Sequence, residues 1–144
     1  RDRHQIRLGA EKEEKLFYTQ KAPEDWLKDL NKFGTDWHKE FLEKAPCLIV
    51  VFKQIYDLKN NIKYKNYYVN ESVGIACGFL LTAIHHAGLV ALTHTPSPMG
   101  FLEKICRRPK NERAYLLIPI GYPKDNTKIP DLRKKKYNEY AEII

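Results

Sequence analysis

Three polar residues near the start of the sequence could together bind an amino acid. Glu14 and Tyr18 stand four residues apart, so a helix would place them on one face, and Lys39 follows in the next predicted helix. A carboxylate, a phenol and an ammonium that converge could bind a zwitterion, with Glu14 at its ammonium and Lys39 at its carboxylate. The same spacing is compatible with three solvated surface residues, so both interpretations stay open.

A second group of polar side chains follows a predicted strand. Thr93, His94 and Thr95 come at the end of the apolar segment 89–93 and before Pro96. Ligands of α/β folds often bind at the carboxyl ends of strands, where hydroxyl and backbone N–H groups could bond a planar heterocycle. Ser and Thr are also common in turns, so an ordinary turn is the alternative.

The histidines and cysteines show no metal-binding pattern. His85 and His86 are adjacent, so on a helix they point about 100° apart and cannot share a metal ion. The sequence has no H-E-x-x-H motif, and its three cysteines include no C-x-x-C pair. We therefore predict no metal site, and the odd cysteine count favours a reduced, intracellular-facing protein.

The formal net charge of +7 favours an acidic partner or an anionic cofactor. Arg133–Lys136, with Tyr137 and Tyr140 beside it, could bind phosphate groups or nucleic acid. Short basic runs are usually solvated, and no nucleic-acid-binding signature accompanies this one, so we predict no nucleic-acid partner. The absence of P-loop, G-x-S-x-G and G-x-G-x-x-G motifs argues against P-loop NTPases, α/β-hydrolases and dinucleotide-binding Rossmann domains.

The length and the hydrophobic pattern predict one α/β-layered domain. With 144 residues, 43% of them hydrophobic, the chain is too short for a TIM barrel and too apolar for a disordered protein. Apolar steps of three and four residues predict helices over 1–19 and 23–42, the second kinked or split at Gly34. β-Branched apolar runs predict buried strands over 47–52 and 89–93 and a third strand over 114–120, with a polar connection over 53–67.

The segment 72–101 contains no Asp, Glu, Lys or Arg. Its apolar run is interrupted by His85 and His86 after twelve residues, whereas a membrane span needs about 20. We predict instead a helix that Asn66 or Asn70 caps, that ends near His86 and that is buried on both faces. Three strands form a thin sheet for so apolar a helix, so we expect further chain or a second subunit to complete the fold.

Several segments, in order along the chain, are typical of one known family. They are Leu42–Gln54, Tyr67–Gly78, Ala87–Val90, Thr93–Pro96, Pro119–Pro123 and Pro130–Leu132. The chain resembles the C-terminal two-thirds of the iodotyrosine deiodinases, which belong to the FMN-dependent nitroreductase superfamily. The resemblance implies a nitroreductase-like α+β fold, with a central mixed sheet flanked by helices and incomplete at the N-terminus. It also implies a single FMN-binding domain, with substrate-lid helices over 1–44 and the core and C-terminal extension over 45–144.

The resemblance gives the first group of polar residues a role in substrate binding. In this family a Glu, a Tyr four residues later and a Lys on the following helix cover the flavin and bind the zwitterion of a halotyrosine. Glu14, Tyr18 and Lys39 stand at the matching positions, and Trp26 and Trp37 are in register. The resemblance therefore implies that these three residues bind the substrate.

The resemblance also implies which residues contact FMN. The family's Thr-x-Thr segment touches the flavin and bonds its N5, which implies catalytic roles for Thr93 and Thr95. His94 replaces the usual middle residue, and the three together would bind the cofactor. Lys134 stands where the family has an Arg at the FMN phosphate, so the charge is kept but the bidentate geometry is not.

The implied reaction is the FMN-dependent reductive removal of iodide from mono- and diiodotyrosine, which leaves tyrosine. The implied enzyme is a homodimer with FMN at the subunit interface, supplied with electrons by an NADPH-dependent reductase. The family's N-terminal Arg-Arg-Ser and Ser-Gly-Ala segments and its first strand are not among these residues. We therefore expect the 144 residues alone to fold marginally, to bind FMN poorly and to have little activity. Location stays open between an intracellular protein and one anchored to a membrane through a segment upstream of residue 1.

Two other classes of function remain open on the sequence. A generic flavin nitroreductase or quinone reductase would not need Glu14, Tyr18 and Lys39, so binding of a tyrosine analogue separates it from a deiodinase. A non-catalytic, truncated binding module would bind no flavin.

Overall fold

The computed structural model describes residues 1–144 and shows helices packed on a three-stranded sheet, with a separate two-stranded hairpin. The α-helices are α1 (Asp2–Leu16), α2 (Glu24–Lys32), α3 (Phe41–Lys44), α4 (Val69–His86) and α5 (Gly100–Ile105). The strands are β1 (Cys47–Gln54), β2 (Tyr56–Lys59), β3 (Ile62–Lys65), β4 (Val90–Ala91) and β5 (Glu112–Gly121). A π-helical turn over Phe17–Lys21 extends α1, and Tyr137–Glu139 forms a 3₁₀ turn.

Strand β5 is the centre of the main sheet, whose order is β1-β5-β4. Both neighbours pair with it antiparallel, so β1 and β4 run parallel to each other without being hydrogen-bonded. The α+β class is confirmed, with one difference from the prediction. No bonded pair of the sheet is parallel, because β5 lies between the two strands that share a direction.

Strand β5 also separates two apolar clusters. Leu117 and Ala114 face α1 and α5, where the cluster includes Ile6, Ala10, Leu42 and Leu102. Leu116, Ile118 and Ile120 face α4 and contact Cys77 and Ile84. The register against β1 shifts between Val51 and Phe52, where β5 has one extra residue. This bulge explains why Ala114 shares a face with Leu117, since an extra residue reverses the alternation of side chains.

The outer strands are less buried than the sequence indicated. The interior of β1 is half-buried rather than fully buried, and Val90 of β4 is 50% exposed. The prediction of buried strands is therefore wrong for both β1 and β4, and the fully buried segment is instead the C-terminal part of β5, where residues 116–120 are all buried. A continuous apolar run shows that a strand can be buried, but it does not show which strand of the sheet is central.

Helix α4 buries one face on the sheet and leaves the other uncovered. Cys77 and Ile84 are buried, while Ile75 is 65% and Phe79 is 74% exposed. The predicted burial on both faces is wrong for this chain, because no element of the chain lies against the outer face. None of the helices has the length and apolarity that crossing a membrane requires.

The start of α4 also differs from the prediction that an Asn caps it. The residue before the helix is Tyr68, in a left-handed conformation with a φ of 52° and without a capping hydrogen bond. Asn70 instead accepts a hydrogen bond from Lys53, and the Asn66 amide donates to the Gln54 carbonyl. Both candidate caps therefore tie the helix start to the end of β1.

The predicted polar connection 53–67 is not irregular, because residues 56–65 within it form a hairpin and its first two residues belong to β1. Strands β2 and β3 pair antiparallel around Asn60 and Asn61. These two residues have φ of 50° and 63°, a conformation that suits a two-residue hairpin turn and that Asn tolerates. Apolar residues at alternating positions 56, 58, 62 and 64 were the available signal.

Candidate functional site

The turn after α1 and the loop after α2 form the upper side of a small pocket. The π-helical turn is closed by the Ala22 N–H, which donates to the Phe17 carbonyl at 2.9 Å, and it contains Tyr18. Helix α2 ends at Lys32 because Gly34 takes a φ of 61°, a left-handed conformation favoured just beyond a helix end. The apolar pattern over 23–42 is thus split at Gly34 into α2 and α3, and the loop 33–40 between them carries Lys39.

The structure brings Glu14, Tyr18 and Lys39 together. Lys39 Nζ lies 3.3 Å from Glu14 Oε2 and 5.4 Å from the centre of the Tyr18 ring. The Lys39 and Glu14 side chains are only 4% and 15% exposed. Burial raises the pKa of Tyr18, as do the nearby charges of Glu14 and Asp36, and these effects outweigh a hydrogen bond with Thr35 that lowers it. The phenol is therefore protonated at neutral pH. We call these three residues the polar clamp.

Glu11 and Asp36, which the sequence did not single out, hold Lys39 in place. Glu11 does so through its carboxylate and Asp36 through its backbone carbonyl. Glu11 accepts hydrogen bonds from the Lys39 backbone N–H at 2.9 Å and from Arg7 at 2.8 Å. Burial would raise the pKa of Glu11, but the bonds from Lys39 and Arg7 outweigh it and keep that pKa below its usual value. The backbone carbonyl of Asp36 accepts a hydrogen bond from Lys39 Nζ at 2.5 Å. Glu11 precedes Glu14 by three residues, so helical spacing could have revealed it.

Aromatic side chains form the wall beside the polar clamp. The Phe17 and Trp26 rings pack edge to face, with 4.9 Å between their centres. They line a pocket of about 270 Å³, together with the polar clamp and Thr93, His94 and Thr95. The two groups of polar residues that the sequence singled out therefore line one pocket. Aromatic walls with a few convergent polar groups are typical of sites for small amphipathic ligands.

Thr93 and Thr95 present unused hydrogen-bond donors on the lower side of the pocket. The intervening His94 pairs with Leu117 of β5 through backbone bonds of 2.9 and 3.0 Å. The backbone N–H groups of Thr93 and Thr95 point away from that strand and donate to no group of the chain, and both residues are exposed. Free amide and hydroxyl groups at a sheet edge can bond the heteroatoms of a flat ring.

The His94 side chain is buried and lacks a partner at one nitrogen. The residue is 9% exposed, its ring packs edge to face on Phe41 at 5.7 Å, and Nε2 has no hydrogen-bond partner. Burial, and then the positive charge of Lys39, lowers the pKa of His94 to about 4, so the ring is neutral at pH 7. A buried polar atom without a partner is uncommon in folded proteins and is often satisfied by a ligand or water.

These residues fit the ring system of a flavin better than they fit its phosphate. Thr93, Thr95 and the unpartnered His94 nitrogen offer polar groups beside an aromatic-walled pocket. Lys134 is exposed in the C-terminal segment and does not line this pocket. No group of three or more His, Cys, Asp or Glu side chains is arranged to hold a metal ion.

The sequence is similar to curated iodotyrosine deiodinases. The iodotyrosine deiodinase of Haliscomenobacter hydrossis is 63% identical over 131 residues, which are 90% of this chain and 59% of that protein. The iodotyrosine deiodinase of Danio rerio is 42% identical over 144 residues, 99% of this chain and 49% of that protein. The chain thus spans about half to three-fifths of the length of these curated relatives. No protein-family profile matches the sequence.

Solved structures agree with the sequence relatives. A crystal structure of oxidized iodotyrosine deiodinase bound to FMN and 3-iodo-L-tyrosine superposes with a TM-score of 0.82 and 30% identity. The alignment covers 99% of this chain and 71% of that one. A nitroreductase-like protein from Bacillus cereus superposes with a TM-score of 0.55 at 14% identity, over 99% of this chain and 67% of that one, which shows the fold alone.

Proposed function

The chain belongs to the iodotyrosine deiodinase family, and we propose that its protein removes iodide reductively from mono- and diiodotyrosine with the help of FMN. The convergence of Glu14, Tyr18 and Lys39 above Thr93 and Thr95 carries this proposal. It is supported by the solved relative, which binds FMN and 3-iodo-L-tyrosine. A generic nitroreductase would have no need for a buried ion pair at this place.

The polar clamp suits the zwitterion of an amino acid because it already contains one charge of each sign. The substrate ammonium would bind the Glu14 carboxylate, and the substrate carboxylate would bind Lys39. The substrate would replace the 3.3 Å contact between Glu14 and Lys39 by one ion pair with each residue, so each buried charge would keep an opposite partner. Tyr18 and the Phe17–Trp26 pair would then enclose the aromatic ring.

The lower side of the pocket would hold the cofactor. When bound, reduced FMN would supply the two electrons that, together with a proton, replace the carbon–iodine bond by a carbon–hydrogen bond and release iodide. Thr93, Thr95 and His94 would bind its ring system, with the hydroxyl of one of the two Thr residues bonding N5, and Lys134 would bind its phosphate. The lid formed by the π-helical turn, α2 and the loop 33–40 positions the substrate ring and excludes water, and both effects favour the reaction.

We further propose that the protein works as a homodimer with FMN at the subunit interface, and that an NADPH-dependent reductase supplies the electrons. The uncovered face of α4 supports the dimer, because it exposes Ile75 and Phe79 on a helix that has no Asp, Glu, Lys or Arg from residue 72 onward, and exposed apolar patches often mark interaction sites. Exposed apolar residues at the C-terminal end, Ile143 and Ile144, offer further contact area.

The test is iodide release from diiodotyrosine by the intact protein loaded with FMN. We expect Lys39→Ala to raise KM by at least about thirtyfold with FMN affinity unchanged, because loss of one partner of a buried charge pair costs about 2–5 kcal/mol. Lys32→Ala is the matched control, since Lys32 lies on the same lid but is exposed and paired only with Asp29.

An unchanged KM in Lys39→Ala would remove Lys39 from the site. Reduction of a nitroaromatic compound without any iodide release would favour a generic flavin nitroreductase. Failure of the intact protein to bind FMN would favour a non-catalytic binding module.

A further inference from the structure

A second concave surface lies away from the pocket, between the β2–β3 hairpin and the turn that joins α5 to β5. It encloses about 650 Å³. Its basic residues are Lys63, Lys104, Arg107, Arg108, Lys110 and Arg113, and we call it the basic groove. It shares no lining residue with the pocket of the polar clamp.

Two of the six basic residues are neutralised within the chain. Arg108 makes a bidentate pair with Glu112, with bonds of 2.7 and 2.8 Å. Arg113 lies 3.7 Å from Glu103, which also accepts the Ala114 backbone N–H at 3.3 Å. Both acidic side chains near the groove are therefore engaged.

The other four basic residues have no acidic partner. Lys63, Lys104, Arg107 and Lys110 are exposed, and no carboxylate lies within ion-pair distance of them. Six positive and two negative side chains leave the groove with a charge of +4. Four unbalanced like charges around one concavity repel each other, and an anion bound between them would relieve this repulsion.

The backbone at Arg107 ends helix α5. The Arg107 N–H donates to the Lys104 carbonyl at 3.2 Å, and the Arg108 N–H donates to the Glu103 carbonyl at 2.9 Å. Arg107 has a φ of 51°, the left-handed conformation in which Gly or Asn is favoured at this position. An Arg at this place costs stability that Gly would not cost.

We propose that the basic groove binds a compound with two or more adjacent phosphate groups, of the pyrophosphate or nucleoside-polyphosphate class. The groove is concave and only one of its nine lining residues is hydrophobic, so it lacks the cluster of apolar side chains found at the centre of a protein interface. Its one aromatic ring, Tyr56, is covered by Lys63 at 4.9 Å. Recognition therefore depends on phosphate charge, for which Lys and Arg are the usual ligands.

The test is a calorimetric titration of the intact protein with pyrophosphate, with FMN in excess so that its own phosphate site is filled. We expect binding that weakens at least tenfold in Lys104→Gln/Lys110→Gln. The matched control is Lys12→Gln/Lys128→Gln, which removes the same charge from exposed residues outside the groove and should change the affinity less than twofold.

Arg107→Gly separates binding from folding. We expect this variant to have a higher melting temperature, because Gly suits the backbone, and yet to bind pyrophosphate more weakly. A second titration with ATP identifies the source of the phosphate groups. Equal affinities indicate that phosphate alone is recognised, and tighter binding of ATP indicates a nucleotide.

Three results would overturn the proposal. The first is the absence of pyrophosphate binding. The second is an equal loss of affinity in the groove variant and the control variant, which would mean attraction by net charge alone. The third is tighter binding of an acidic peptide of the same charge that is lost in the groove variant, which would make the groove a protein-docking surface.

Discussion

At the scale of single residues, Lys39 is a charged side chain that is only 3% exposed. An ammonium has three donors, and the structure accounts for one hydrogen bond, to the Asp36 carbonyl, and one ion-pair contact, to Glu14. At least one donor is therefore available for a substrate carboxylate. The site is preorganised, because the desolvation cost of burying Lys39 is met when the protein folds and not when the substrate binds.

His94 should make the stability of the protein depend on pH. Its pKa is lowered to about 4 from 6.5, by burial and then by Lys39, so between these values the unfolded chain binds a proton that the folded chain does not. The stability that depends on a neutral His94 is therefore fully present above about pH 6.5 and is lost as the pH falls toward 4. The loss attributable to His94 is about 3 kcal/mol.

Urea unfolding of the wild-type protein and of His94→Leu at pH 7 and pH 4.5 measures this effect. The variant should lose less stability on acidification than the wild type, because Leu cannot titrate. His85→Asn, at an exposed histidine, is the control and should behave like the wild type. Identical pH dependence in His94→Leu and the wild type would show that His94 does not titrate in this way.

The sequence predicted which residues line the site better than it predicted the loop and hydrogen bonds that position them. Helical spacing placed Glu14 and Tyr18 on one face, but spacing cannot show how close Lys39 comes, because its position depends on the loop after Gly34. The bond from the Lys39 backbone to Glu11 depends on that same loop. The roles of the polar clamp and of Thr93, His94, Thr95 and Lys134 remain predictions that the proposed experiments test.

At the scale of elements, α1 approaches α5 closely through Gly9. A Cβ at this position would lie 2.4 Å from Cδ2 of Phe101, which is closer than atoms can approach. Phe101 itself packs against the apolar cluster on that side of the sheet. Gly9 therefore sets the distance between α1 and α5.

Gly9→Ala should fail to stabilise the protein although Ala favours helices. The gain in helix propensity is about 1 kcal/mol, whereas forcing Phe101 aside costs about 1–3 kcal/mol. Chemical denaturation should therefore show an equal or lower free energy of unfolding. Gly100→Ala is the matched control, since nothing lies within 4 Å of its added Cβ, and it should leave stability unchanged or slightly higher. A clear gain in Gly9→Ala would contradict this packing.

The sequence predicted elements with long apolar runs well. It did not predict properties that depend on which other elements lie beside a strand. The sequence indicated α4 and β5 because their apolar residues are numerous and uninterrupted. It missed the β2–β3 hairpin because the alternating apolar residues of the hairpin are few and stand among charged ones, and most of the hairpin is exposed. It overestimated the burial of β1 and β4 because edge and central strands differ only in what lies beside them.

At the scale of the whole molecule, the uncovered face of α4 should determine the oligomeric state. We expect the intact protein to sediment as a dimer and Phe79→Asp to shift it toward the monomer, because a charge at the centre of an apolar interface is costly to desolvate. Phe79 is 74% exposed in the single chain, so the substitution should not disturb its own fold.

Leu8→Asp provides the control for this prediction. Leu8 is an apolar residue of another helix that is 45% exposed, and the substitution changes the net charge equally. This variant should remain dimeric. A Phe79→Asp protein that sediments as a dimer would place the interface elsewhere.

The contrast between α2 and β5 has a consequence for how a substrate enters. Helix α2 has no buried residue, whereas β5 contributes to both apolar clusters. Local opening costs least where few apolar contacts are broken, so α2 should detach and return many times during the lifetime of the folded core. In a native-state hydrogen-exchange experiment, the amides of α2 should exchange faster than those of α1, which has two buried residues. The amides of β5 should exchange only on global unfolding. Local opening of α2 would give a halotyrosine a route to the polar clamp without any rearrangement of the sheet.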